Sequence, residues 1–215
     1  MPTLTQIKET KKGRYALFFD GEFAFSLDED TFAGASLHAQ DVLDPWQVED
    51  LRAKSDTRKA LDKALDLLSY RDHAAGELYQ KLCRKFDPPS AAAAVAKAQE
   101  LGLLDDARVA LRRAGELYRK RKSRREILMD LTAKGIDRDA AAAAVEQLYA
   151  QTGQQDGEDA DDPETATVRA LVEKKYAARL AEGKRQQVAA ALARRGFGYA
   201  VIRTVLDDFA ELADE

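Results

Sequence analysis

The side chains best suited to chemistry in this chain are cations, and they crowd into one stretch. Residues 107–135 carry ten basic side chains: Arg108, Arg112, Arg113, Arg119, Lys120, Arg121, Lys122, Arg124, Arg125 and Lys134. Only Glu116, Glu126 and Asp130 oppose them, in a 215-residue chain whose net charge is -4. A solvated helix face ordinarily mixes signs. Cations near a helix C-terminus also complement its dipole, so part of the cluster has a purely local use. The remaining excess points to contact with a polyanion or an acidic protein, a sequence-independent and salt-sensitive interaction where the anion is phosphate.

Other candidate chemistry is sparse. His38 and His73 stand apart without metal-ligand spacing. Cys83 is the single cysteine, which excludes an intramolecular disulfide, and nothing near it in sequence would activate a thiolate. No Gly-rich phosphate loop, Cys/His cluster or nucleophile motif occurs. The reading is therefore of a protein that is not an enzyme and needs no cofactor or metal. Residues 1–12 are polar, without the apolar core of a signal peptide, and no apolar run approaches a membrane span. A reduced cytoplasm is the expected compartment.

The elements that must position these cations are written three times. Residues 77–87, 126–137 and 187–198 each read as a short amphipathic helix, a base, a tight stop and one apolar residue. Leu82, Leu131 and Leu192 correspond, as do Lys85, Lys134 and Arg195, and then Phe86, Ile136 and Phe197. The first copy is one residue shorter because it lacks the glycine. Repetition of this kind predicts tandem helical units that pack on their neighbours. Lys85, Lys134 and Arg195 are either helix-end caps or recurrent contact residues.

Taken in order, residues 1–55 form an N-terminal β-rich extension with short helices. Runs at 3–8, 14–19 and 22–27 predict a three-stranded antiparallel meander, with Asp20-Gly21 as its hairpin turn. Such a sheet needs a helix to pack on. A short helix over 28–32 and another over 45–54, capped by Asp44 and opened by Pro45, complete the unit. Trp46 is expected to staple this unit to the helices after it. Residues 56–104 form a first three-helix repeat, with Leu61, Ala64, Leu65 and Leu68 on one face of its first helix. Residues 105–151 form a second, with Ser123 and Glu126 as a capping box and Asp137 as cap of its last helix. Residues 152–163 read as an acidic flexible linker. Residues 164–215 form the third repeat. Acid-before-base pairs at i,i+4 join Glu77 to Lys81, Glu116 to Lys120 and Asp130 to Lys134. The fold expected is mainly α: three tandem three-helix repeats in an elongated curved array, with a small β unit in front.

At this level the residues match a known pattern. Residues 64–78 (ALDLLSYRDHAAGEL), Lys81-Leu82, residues 102–110 (GLLDDARVA) and residues 126–136 (EILMDLTAKGI) resemble the motifs of the RecX family, in the same order. The resemblance covers residue 58 to about 212. It departs at Ala74, where the family usually has a capping serine, at the missing glycine before Phe86, and at the acidic linker. No heptad seam suggests an oligomer, so a monomer is expected. The resemblance implies a regulator that lies in the helical groove of the RecA filament on single-stranded DNA. There it would suppress ATP hydrolysis, strand exchange and co-protease activity, with weak direct DNA contact. Three groups of residues are candidates for partner or DNA binding: Arg71, Glu77 and Lys81 at the first repeat's corner, unless they only pair with one another to fix that corner; Arg108, Arg112, Arg119, Arg121, Arg124 and Arg125 as a central basic surface; and the recurrent Lys85, Lys134 and Arg195. Rival readings are a RecA-independent nucleic-acid-binding module and a general helical-repeat adaptor.

Overall fold

The computed structural model describes residues 1–156 and 161–214, which divide into two compact units, Met1–Leu104 and Asp105–Glu215. Mainly helical structure comes after a single small sheet. In the first unit β1 (Leu4–Glu9), β2 (Tyr15–Phe19) and β3 (Glu22–Leu27) form an antiparallel meander in that order. Asp20 and Gly21 both take positive φ, 51° and 88°, the backbone of a two-residue turn whose twist matches the strands it joins. One face of the sheet buries Leu4, Leu17, Phe25 and Leu27 against Leu43 and Leu51. The short helix expected after β3 is α1 (Glu29–Ala35), capped by Asp28. Leu51 belongs to α2 (Pro45–Tyr70), so the helix needed to stabilise three strands is present.

That helix corrects the segmentation expected from sequence. Residues 45–54 and 56–69 are not two helices but one, and the boundary expected at 55/56 lies inside it. No Gly or Pro interrupts residues 46–70. Ser55, at that expected boundary, is buried and donates to the Ser26 carbonyl at 2.7 Å. Ser55 thus ties the helix to β3. Trp46, on the first turn, is 66% exposed and staples nothing within its unit. Its place is taken by Leu43 and Leu51. Leu65 is also exposed, whereas Ala60 and Ala64 form the buried stripe.

The distal half of α2, with α3 (Ala75–Leu82) and α4 (Pro88–Glu100), builds the first three-helix repeat around Ala60, Ala64, Leu78, Leu82, Ala91 and Ala94. Small residues let α2 and α4 approach closely. Asp87 accepts from the Ser90 amide at 2.9 Å and Pro88 opens α4, as the residue order predicts. Ala74 occupies the N-cap of α3 and makes no side-chain cap bond.

The second unit holds α5 (Asp106–Arg119), α6 (Arg124–Ala133) and α7 (Arg138–Asp156), then a third set. Ile127, Leu131, Ile136, Val109, Ala114 and Leu117 are buried, and Ala141, Ala144 and Val145 identify the inner face of the alanine-rich α7. The Ser123–Glu126 capping box forms, and Asp137 accepts from the amides of Asp139 and Ala140. Helix α7 continues to Asp156, so residues expected to begin the acidic linker are helical; the linker's residues 157–160 lie outside the described residues.

The third set comprises α8 (Pro163–Leu171), a π-helical segment (Val172–Tyr176), α9 (Ala177–Ala181), α10 (Arg185–Arg194) and α11 (Tyr199–Asp214). Val168, Val172, Tyr176 and Leu180 all face its core. Their spacing of four drifts about 40° per step in an α-helix. The wider π turn removes much of that drift, and it leaves Lys175 and Arg179 exposed.

Helix ends explain the thrice-written stretch. Gly135 (φ 77°) and Gly196 (φ 83°) are left-handed, and the next residue's amide reaches back five residues, Ile136 to Leu131 and Phe197 to Leu192. In the first copy Phe86 reaches back only four, to Leu82, and no glycine is needed. The buried leucine and the apolar residue after the stop are thereby joined by a backbone bond in all three copies. Truncating such a buried leucine to alanine costs about 2–5 kcal/mol.

Candidate partner-binding surface

At the corner between α2 and α3 the predicted group comes together, and all of it is paired. Arg71 donates to Glu77 through both terminal nitrogens, at 2.6 and 3.2 Å. Lys81 lies 3.7 Å from the same carboxylate, and Nδ1 of buried His73 lies 3.1 Å from it. Burial alone would raise the Glu77 carboxyl, but the guanidinium of Arg71 and the ring of His73 outweigh it and bring the pKa down to about 2. Burial likewise lowers the pKa of His73. The charges of this corner are committed to one another.

The central basic surface is sorted differently. Arg113, which was not among the candidates, reaches from α5 to α6 and grips both oxygens of Asp130 at 2.8 and 2.9 Å. It also holds Glu116 at 3.1 Å. Of the three i,i+4 pairs expected, Glu77–Lys81 is present; the other two are replaced by Arg113. A planar guanidinium that meets a carboxylate with two bonds outcompetes a flexible ammonium. Asp130 is accordingly held below the usual carboxylate range. Lys120 and Lys134 have no carboxylate within ion-pair distance among the described residues.

Arg124 is also structural. Its guanidinium bonds Glu146 at 2.7 Å and lies over the Tyr149 ring, 4.8 Å from the centroid. Its backbone N–H donates to Glu164 of α8 at 3.1 Å. Arg124, Glu146 and Tyr149 line a cleft of about 640 Å3 together with Asp162 and Pro163. Burial raises the carboxyl of Glu164, and raises the phenol of Tyr149 as well. Arg108 and Arg112 lie on α5, and both have polar or charged neighbours.

Arg119, Arg121 and Arg125 remain. None has a carboxylate partner among the described residues. The fold brings Arg195 to them. Its guanidinium donates to the Arg121 carbonyl at 3.0 Å and lies 5.9 Å from the Phe197 ring centroid. Its own carbonyl accepts from the Ser123 hydroxyl at 2.7 Å. The contact requires glycine at the next position. A Cβ on Gly196 would stand 2.8 Å from Ser123 Oγ and 3.4 Å from Arg125 Cβ. Two groups that sequence kept apart, the middle-repeat cluster and Arg195 of the third repeat, thus meet at one joint. Lys134 does not join them. It sits at the end of its own helix, as Lys85 does in the first unit.

Arg121 has a further peculiarity. Five helix ends in the repeats close on a left-handed residue among the described residues: Gly102, Gly135, Gly183, Gly196 and Arg121, the last with φ 56°. The Lys122 amide bonds the Leu117 carbonyl at 3.1 Å, the same closure as at Gly135. An L-residue in this conformation costs about 1 kcal/mol relative to glycine. Sequence reading missed this because the local signal of a helix stop is glycine itself.

Among the described residues no group of His, Cys, Asp or Glu is arranged to hold a metal, and no helix is long and apolar enough to cross a membrane. Comparison with known proteins gives one consistent result. The family model for the first three-helix domain of RecX matches residues 60–97, and that for the third matches residues 162–206. Regulatory protein RecX of Bacillus subtilis is 27% identical over 219 residues, covering 100% of this chain and 80% of the relative. Regulatory protein RecX of Lactobacillus delbrueckii subsp. bulgaricus is 34% identical over 148 residues, covering 67% of this chain and 55% of the relative. The chain therefore spans only about half the length of some curated relatives it matches. A crystal structure of regulatory protein RecX superimposes with a TM-score of 0.68 at 22% identity, covering 96% of this chain and 100% of that one. RecX from Lactobacillus salivarius gives 0.58 at 24% identity, over 71% and 96%. At these identities the structures speak to the fold alone, and the fold is the same. With the family's first and third domains in order, its curated members matching along the chain and its architecture reproduced, the chain belongs to the RecX family of regulatory proteins.

Proposed function

We propose that this protein regulates homologous recombination by binding in the groove of the RecA filament on single-stranded DNA. It inhibits the filament's ATP hydrolysis, strand exchange and co-protease activity by occupying that groove. It works as a monomer in the cytoplasm, as a binding protein rather than an enzyme, without cofactor. The observation that carries this reading is the basic joint of Arg119, Arg121, Arg125 and Arg195, none of which has a carboxylate partner among the described residues. In a net-negative chain, cations that the fold does not neutralise are free to meet a partner built of protein and polyanion. Membership of the RecX family of regulatory proteins supports RecA as the partner in this reading. The corner at Arg71 and Glu77 supports the reading only as scaffold.

The test is RecA ATP hydrolysis on single-stranded DNA. Addition of this protein at a substoichiometric ratio to its cognate RecA is expected to lower the steady-state rate. An unchanged rate at equimolar ratio, with the protein folded by circular dichroism, would sink the proposal. Retained DNA binding in that case would favour a RecA-independent module instead.

A further inference from the structure

We infer that the cleft flanked by Arg119 and Arg121 is a subsite for one phosphodiester group of single-stranded nucleic acid. Its walls are Tyr118, Arg119, Arg121, Ala166 and Thr167, and it encloses about 240 Å3. That volume is below the usual range for a drug-sized ligand and suits a single small group rather than a nucleoside. Both guanidiniums lack a carboxylate partner among the described residues, whereas Arg124 is bound to one carboxylate and Arg113 and Arg169 to two each. Arg195 does not line the cleft, but its guanidinium holds the backbone of Arg121 by donating to its carbonyl. No ring is offered for base stacking. Tyr118 packs edge-on against Tyr149 and its hydroxyl lies 3.5 Å from the Pro163 carbonyl. Thr167 is buried and bonds the Pro163 carbonyl at 2.8 Å. The cleft presents charge, and charge without stacking reads a backbone and not a base.

The backbone of Arg121 argues that its side chain is kept for this purpose. Four equivalent helix ends use glycine, and the fifth retains arginine in a conformation that favours glycine. Folding alone would select the opposite residue. Strain held at one position of a repeated device marks a position where the side chain does something the device does not need. The inference deepens the proposed function and rests on its reading of the basic joint as a partner face.

Arg121→Gly separates the two roles, because it relaxes the backbone while removing the charge. Binding of a fluorescent oligothymidylate is measured against salt, without RecA. Arg121→Gly is expected to match or exceed the wild-type melting temperature, to bind several-fold more weakly, and to lower the salt slope by about 0.7, the value for one phosphate on a single strand. Arg121→Gln, which keeps an L-residue, is expected to show the same loss, and it carries the test should the glycine variant be less stable. Unchanged affinity and slope in both variants overturns the inference. So does wild-type binding to polyglutamate as tight as to the oligonucleotide, which would assign the cleft to an acidic protein. Absence of measurable wild-type binding to the oligonucleotide overturns it too, and leaves RecA inhibition as a separate question.

Discussion

The corner between α2 and α3 and the corner between α5 and α6 occupy the same place in two repeats, yet their charges have opposite fates. At the first, Ala74 cannot cap its helix, and Glu77 gathers Arg71, His73 and Lys81. At the second, Ser123 caps α6, and the equivalent Glu126 completes the box and takes only Lys122, at 2.9 Å. Arg119, Arg121 and Arg125 are left over. A single carboxylate that serves as a hub in one repeat serves as a cap in the next. The lesson is that a cation's presence in a cluster says little until its acids are counted in space.

If that contrast holds, the two corners fail in different assays. The largest expected effect belongs to the second. Arg121→Glu with Arg125→Glu should weaken RecA inhibition about a hundredfold, since two contacts become repulsions, while the melting temperature moves by no more than a few degrees. Inhibition that persists would reduce this corner to ordinary surface. At the first corner the effect should be on stability and should track pH. Glu77 has a depressed pKa in the folded state, near 2 against an ordinary 4.5. Its contribution is therefore full above pH 4.5 and is lost as pH falls from there toward 2. Urea unfolding across that window should lose about 3 kcal/mol that Glu77→Gln does not lose. Equal slopes for the two proteins would show that the hub is idle.

A smaller effect tests the joint that gathers Arg195 to the second corner. Gly196→Ala places a Cβ against Ser123 Oγ at positive φ and should cost about 2 kcal/mol in chemical denaturation. It should also lower inhibition by displacing Arg195 from Arg121. A stable variant with unaltered inhibition would mean that the third repeat does not need this seat.

Much of the architecture was legible because its signals are local. Asp87 with Pro88, Ser123 with Glu126, Asp137, and Asp20 with Gly21 all act within four residues, and all form as read. The three repeats were visible because the leucine and the apolar residue after the stop are linked by one backbone bond. The misreadings share a cause. The boundary expected at 55/56 lies inside one helix that Ser55 anchors, and its acceptor, Ser26, lies 29 residues away. Asp130 was assigned to Lys134 because Arg113 lies 17 residues back and wins by geometry. The meeting of Arg195 with Arg121 spans 74 residues. For the site, sequence located the cations and could not tell which of them the fold would consume.

The π-helical turn at Val172–Tyr176 has a consequence for how this chain tolerates change. It works as a phase corrector inside an otherwise regular helix. Loss of one residue there would restore α-helical pitch and leave everything beyond it in phase, since about eleven α-helical steps carry Val168 to Leu180 within about 20° of three full turns. Tyr176 and Leu180 would still face the core, and Lys175 and Arg179 would still face away from it. The π turn therefore stores one residue more than α pitch needs, and a frame-preserving deletion of one codon there is absorbed locally.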